Sequence, residues 1–141
     1  MAIVGFHFTK IRAERTGTAK GNVGVKHNVG IKKVELADFQ LGKGNQQGVR
    51  FSFEFSTHYE PDLGAILLEG EMIDILPTKE AKDIVDEWNK NKRMDPTFMG
   101  NLLNTIYAKS NVQALLMSKD VGLPPPIKIP KINVKVTEAK K

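Results

Sequence analysis

The sequence predicts an α+β fold: a four-stranded antiparallel sheet followed by two helices packed on one face, with an extended basic C-terminal tail. Three observations predict it. Residues 49–55 alternate apolar and polar side chains, and Thr57 and Tyr59 continue the first face, as in a strand buried on one side. From residue 81 onward apolar residues recur instead at spacings of three and four, the helical period. Prolines at 124, 125 and 126 then stop any helix. The expected division is an α+β domain over 1–123 and a Pro/Lys-rich extended tail over 124–141.

The first strand is AIVGFHFTKIRAER, in which Val4, Phe6 and Phe8 share a face at period two. TGTAKGNVG after it is a glycine-rich turn. In VGVKHNVGIKKVELADF, Val25, His27, Val29 and Ile31 alternate in one phase and Val34 and Leu36 in the other. The slip at Lys32-Lys33 predicts a bulge. LGKGNQQG is the loop of a hairpin. VRFSFEFSTHY is the clearest strand, with Val49, Phe51, Phe53, Phe55, Thr57 and Tyr59 on one face. EPDLG turns it back into AILLEGEMIDIL, an antiparallel neighbour.

Thr78 is placed to cap a helix in which Ala81, Ile84, Val85 and Trp88 form the apolar face. Asp95-Pro96 starts a second helix, an N-cap followed by proline at the first helical position. Its stripe is Phe98, Met99, Leu102, Leu103, Ile106 and Tyr107, continued by Ala114, Leu115 and Met117, and Gly122 stops it. In the tail, Ile127, Ile129, Ile132, Val134 and Val136 alternate with Lys128, Lys131 and Lys135.

A chain of 141 residues is one domain, able to bury about two-thirds of its unfolded surface. With 40% hydrophobic and 26% charged residues it is ordinary for a globular protein. No apolar run approaches the roughly 20 residues of a membrane span, and the N-terminus has its apolar residues before its basic ones, the reverse of a secretory signal. A cytoplasmic protein without a membrane partner is expected. The absence of cysteine excludes disulfides and thiol chemistry.

The net charge of +5 is unevenly spread: nine Lys/Arg against three Asp/Glu in 1–50, seven against twelve in 51–123, and five against one in 124–141. Segregated charge is a statement about partners. Five tail lysines on a polyanion would make binding steeply salt-dependent, at about −0.9 in the salt slope for each phosphate neutralised.

Catalytic motifs are missing. Gly17-x-x-x-Gly21 and Gly42-Lys43-Gly44 lack the Gly-Lys-Ser/Thr ending of a phosphate loop and open no helix, so hairpin turns explain them better. His7, His27 and His58 have no second ligand at helical spacing and read as exposed strand residues. Asp83, Asp86 and Glu87, interleaved with lysines, read as a solvated helix face. No Gly-x-Ser-x-Gly elbow is present. The expectation is a non-enzymatic protein with no catalytic residues, no metal and no cofactor. The aromatic strand Phe51, Phe53, Phe55 and Tyr59 has the makings of a base-stacking platform or a groove for unfolded chains. Core packing is its expected role, because the amphipathic helices need a sheet face to cover.

The run VRFSFEFSTHYEPDLGAILLEGEM resembles the SecB-like superfamily, and archaeal SecB-like proteins in particular. So does its setting, with FTKIRAER and VGIKKVEL before it and IVDEWNKNK and NLLNTIYAKSNVQALLMSKDVGLPPP after it. The resemblance covers roughly Phe6 to Pro130. Its most specific pieces are Tyr59-x-Pro61-x-x-Gly64 and Leu123-Pro124-Pro125. It implies a four-stranded antiparallel sheet with helices on one side. Bacterial SecB proteins form tetramers that hold unfolded preproteins for export, and they are acidic, whereas both ends of this chain are basic.

That departure leads to the expectation of a SecB-like domain reused as a structural rRNA-binding ribosomal protein of the archaeal large subunit, with rRNA and neighbouring ribosomal proteins as partners. Lys10, Arg12, Arg15, Lys20, Lys26, Lys32, Lys33, Lys43, Lys128, Lys131, Lys135, Lys140 and Lys141 would contact phosphate without reading sequence. The alternative is a SecB-like holdase chaperone whose partner is unfolded polypeptide, acting through apolar area near Phe51, Phe53 and Leu68 and an oligomer interface. A third reading is a protein-interaction module, such as a toxin–antitoxin partner, using a SecB-like groove.

Overall fold

The computed structural model describes residues 2–18, 21–37 and 45–126. Four strands, β1 (Ala2–Arg15), β2 (Gly24–Leu36), β3 (Gln46–Glu60) and β4 (Gly64–Pro77), precede two helices, α1 (Thr78–Asn91) and α2 (Pro96–Asp120). The strands form one antiparallel sheet in the order β1-β4-β3-β2. The expected four-stranded antiparallel sheet followed by two helices is what the described residues adopt, and the expected extended tail from 127 onward lies outside them.

β2, β3 and β4 are a meander of hairpins, but β1 and β2 lie at opposite edges. The glycine-rich segment after β1 is therefore a crossover over the end of the sheet, where the sequence reading had a hairpin turn. It is pinned to the β3–β4 turn: the Thr16 and Gly17 amides donate to the Leu63 carbonyl at 2.8 and 3.2 Å, and the Thr16 hydroxyl to that of Asp62 at 2.8 Å. A Cβ on Gly17 would lie 2.8 Å from the Asp62 oxygen, so only glycine lets the crossover lie this close.

The bulge expected in β2 is present. Ile31 pairs with Phe53 and Lys33 with Ser52, leaving Lys32 as the extra residue. β1 has register shifts between Ile3 and Gly5 and between Phe8 and Lys10. The first takes Val4 out of the expected apolar row and leaves it exposed, while Phe6 and Phe8 pack on the core.

Both helices cover the face of the sheet that carries Val49, Phe51, Phe53, Phe55, Thr57 and Tyr59, all buried. One core cluster joins Val49, Phe51, Phe53, Met72 and Leu76 to Trp88, Leu102 and Ile106. A second joins Phe55, Tyr59, Ile66 and Leu68 to Ala114, Met117 and Leu123. Burying a large apolar side chain stabilises by about 1.5–3 kcal/mol, so these rows hold the layers together. Gly70 faces Phe53 across the β3–β4 pair, where a Cβ would meet the ring at 2.6 Å. Its bareness lets Phe53 lie over β4 and stack on Phe6 of β1, centroids 5.1 Å apart.

The capping position of α1 falls on Pro77, with no side-chain cap, rather than on Thr78, which is the first helical residue. Asp95 caps α2 as expected, accepting from the Phe98 amide at 3.1 Å. Along α2 the fully buried row is Leu102, Ile106, Ser110, Ala114 and then Ser118, in steps of four. That row winds around the helix, so α2 crosses the strands obliquely. Val121 and Gly122 end the helix, Gly122 at φ 71° as its expected stop.

Candidate functional site

The outer face of the sheet, which no helix covers among the described residues, carries the charge. Lys26 pairs with Glu60 at 3.2 Å, Lys33 with Glu35 at 3.5 Å and Arg12 with Glu14 at 3.5 Å. Lys32, on the bulge, sits between Glu69 at 3.5 Å and Glu54 at 4.0 Å, two carboxylates that face each other across β3 and β4. A chain of polar contacts crosses all four strands: His7 to Glu71 at 3.2 Å, then the ion pairs of Glu71 with Arg50 at 3.7 Å and of Arg50 with Glu35 at 3.2 Å. Arg50's hydrogen bond, with the charge of Lys33, holds the Glu35 carboxyl below its usual range.

Of the expected phosphate contacts, Lys10 is exposed on β1 opposite Glu69, and Arg15 is turned onto the backbone carbonyls of Gly17 and Gly122. Lys20, Lys43, Lys128, Lys131, Lys135, Lys140 and Lys141 lie outside the described residues. The structure does not gather the described cations into a basic surface. It brings Lys26, Lys32 and Lys33 against glutamates of β2, β3 and β4, so charge segregated in the sequence is interleaved in space.

The strap that leaves α2 is fastened across the sheet. Tyr59 donates its hydroxyl to the Pro124 carbonyl at 2.6 Å, and burial pushes its pKa up to about 12. His27 lies 2.7 Å through Nε2 from the Pro126 carbonyl and 3.0 Å through Nδ1 from the Thr57 hydroxyl. A carbonyl only accepts, so Nε2 carries a proton, and in the neutral ring Nδ1 accepts from Thr57. His27 is thus a half-buried fastening and not the exposed strand residue expected. The first three residues of the expected tail are held on the domain.

Exposed apolar area lies elsewhere than the sequence placed it. Phe51, Phe53 and Leu68 are buried in the core and offer nothing to a client, which corrects the surface expected for a holdase. Among the described residues the large exposed apolar residues of the sheet are all on β1: Ile11 at 51%, Val4 at 50% and Ile3 at 40% exposure. On α2 they are Val112 at 62%, Leu116 at 56% and Tyr107 at 36%. β1 is an edge strand of 14 residues, so one row of its backbone N–H and C=O groups has no ladder partner among the described residues. Ile11 pairs with Leu68 and so points to the helix-covered face. Lys109 lies 5.3 Å over the Phe6 ring, which turns that flank of α2 toward β1. Val112 and Leu116 follow it at i+3 and i+7, on the same flank. Periodicity misses the β1 residues because it cannot tell an edge strand from a central one. Val112 and Leu116 carried a signal, being apolar residues off the buried row.

Asp74 of β4, between Ile3 of β1 and Val49 of β3 on the helix-covered face, is fully buried with neither carboxylate oxygen hydrogen-bonded among the described residues, and burial pushes its pKa up to about 6. Among the described residues no group of His, Asp and Glu has the spacing to hold a metal ion. No helix there is long and apolar enough to cross a membrane.

No protein-family model matches the chain, and no curated protein does. Among solved structures it is similar to the SecB-like chaperone Rv1957 of Mycobacterium tuberculosis, determined in complex with a ChAD peptide from the Rv1956 HigA1 antitoxin. The identity is 12% and the TM-score 0.50, over 94% of this chain and 91% of that one. The likeness is one of fold. It corrects the expectation of a ribosomal, rRNA-binding protein: the neighbour is a chaperone holding a peptide, and most of the described cations expected on phosphate are engaged within their own chain.

Proposed function

We propose that this chain is a SecB-like chaperone that holds unfolded polypeptide without catalysing a reaction on it. The observation that carries the reading is the edge of β1, unpaired on one side among the described residues, beside the α2 flank, with Ile3, Val4, Ile11, Val112 and Leu116 exposed along both. An extended client adds its backbone to β1 as a strand and lays apolar side chains against Ile11, Val112 and Leu116. The peptide-bound SecB-like chaperone of similar fold supports a polypeptide partner. Strand addition reads main chain, which every client shares, so selection among clients, exported preproteins included, falls to side-chain contacts along the flank.

The test is suppression of aggregation of a chemically denatured client by the full-length protein. The chain is expected to suppress it, and Ile11→Asp with Leu116→Asp to lose the effect while keeping the far-UV spectrum and Tm. Failure of the unaltered chain, or undiminished suppression by the double variant, removes the basis of the reading.

A further inference from the structure

Between α1 and the start of α2 lies a cleft of about 400 Å3. Its floor is Ile84, Met94 and Phe98, half-buried side chains that rest on the core. Its rim is Glu80, Asp83 and Glu87 of α1 and Asp95 at the head of α2, with Arg93 as the one cation among the lining residues. The four carboxylates are exposed, and among the described residues none is in an ion pair. Glu87 accepts from the Asn91 amide at 3.0 Å, and Asp95 from the Phe98 backbone amide. This separates them from the glutamates of the sheet, six of which have a lysine or arginine within 4.0 Å.

We propose that this cleft is the docking site of the chain's own C-terminal segment, residues 127–141. The chemistry of the two is complementary. The segment interleaves Ile127, Ile129, Ile132, Val134 and Val136 with Lys128, Lys131 and Lys135, branched aliphatics for the apolar floor and ammonium groups for the rim. Length permits it. Pro126 is fixed by His27, whose ring lies 5.9 Å from that of Tyr107 on α2. From Tyr107 back to Phe98 is about 14 Å of helix, and passing round α2 adds its diameter of roughly 10 Å. Ten extended residues span about 33 Å, so 127–136 reach the cleft with length to spare. The clasp closes the chain end onto the α1–α2 junction and weakens as salt screens its ion pairs.

The test needs no client, so its outcome is separate from that of the chaperone reading. The full-length protein at low concentration is treated with a water-soluble carbodiimide, which joins a lysine amine directly to a carboxylate it touches, and the monomer-sized product is mapped. Lys128, Lys131 or Lys135 is expected on Glu80, Asp83 or Glu87, severalfold less at high salt. Ile129→Ser with Ile132→Ser, which leaves every lysine and carboxylate in place, is expected to cut these links severalfold as well. Links spread evenly over Glu54, Glu69 and Asp120 overturn the proposal. So do links that survive the serine substitutions, and links confined to a dimer-sized product, which assign the cleft to a second copy.

Discussion

The Tyr59 hydroxyl reaches the Pro124 carbonyl at 2.6 Å and so joins the end of β3 to the strap that follows α2. The two short motifs singled out in the sequence, around Tyr59 and Leu123-Pro124-Pro125, are therefore two halves of one contact. Leu123 completes it, buried in the same cluster as Tyr59 and Leu63.

Tyr59→Phe removes that bond while keeping the ring. A loss of about 0.5–1.5 kcal/mol is expected in chemical denaturation, with faster hydrogen exchange at the Gly122 and Leu123 amides. Burial favours the neutral phenol, so its stabilisation is intact below the ordinary tyrosine pKa of 10 and is lost as pH rises to about 12. Tyrosinate absorbance is the readout: the component titrating near 12 is expected to vanish in the variant.

Asp74 gives a pH dependence of the opposite kind to a paired carboxylate. Its folded pKa of about 6 lies above the ordinary 3.8, so the fold holds this proton more tightly than the unfolded chain. Its contribution is most favourable below pH 3.8, declines as pH rises to about 6, and is level above that. Asp74→Asn is expected to raise stability at pH 8 by on the order of 2–3 kcal/mol and to leave it little changed near pH 3.5. Equal Tm shifts at both pH values would count against the buried, unpaired carboxylate.

Gly70→Ala places a methyl against Phe53 and the His7 carbonyl, at 2.6 and 2.5 Å in the present geometry. The ring has to move off Phe6. A loss of about 1–3 kcal/mol is expected in urea unfolding, with β1 amides the most affected in hydrogen exchange.

Lys32→Met leaves Glu54 and Glu69 facing each other without the ammonium between them. Destabilisation of roughly 0.2–1 kcal/mol is expected at low salt, shrinking as salt is added, and Glu69→Gln in the same chain should restore most of it.

Much of the fold was legible because local patterns encode local geometry. Val49 to Tyr59 alternate because β3 has one buried face, and the phase slip at Lys32-Lys33 is a bulge because an extra residue must reverse the alternation. What was missed is long-range. Nothing local to β1 says that it pairs with β4 and leaves β2 at the far edge, so the segment at Gly17 read as a hairpin and Ile3, Val4 and Ile11 were not seen as exposed. Ser110 and Ser118 are buried because α2 crosses the sheet obliquely, an angle that no apolar stripe records. Lys26 and Lys32 of β2 read as part of a phosphate surface for the same reason: Glu54, Glu60 and Glu69, which answer them, lie on other strands.

The crossover also sets an order of events in synthesis. β1 is the first strand to be made, yet Phe8 pairs with Gly70, about sixty residues downstream. Closing that distance costs more entropy than the β2–β3 and β3–β4 hairpins, which zip from neighbouring residues. While the meander forms, β1 therefore waits as an extended apolar segment without the strand edge it is to join.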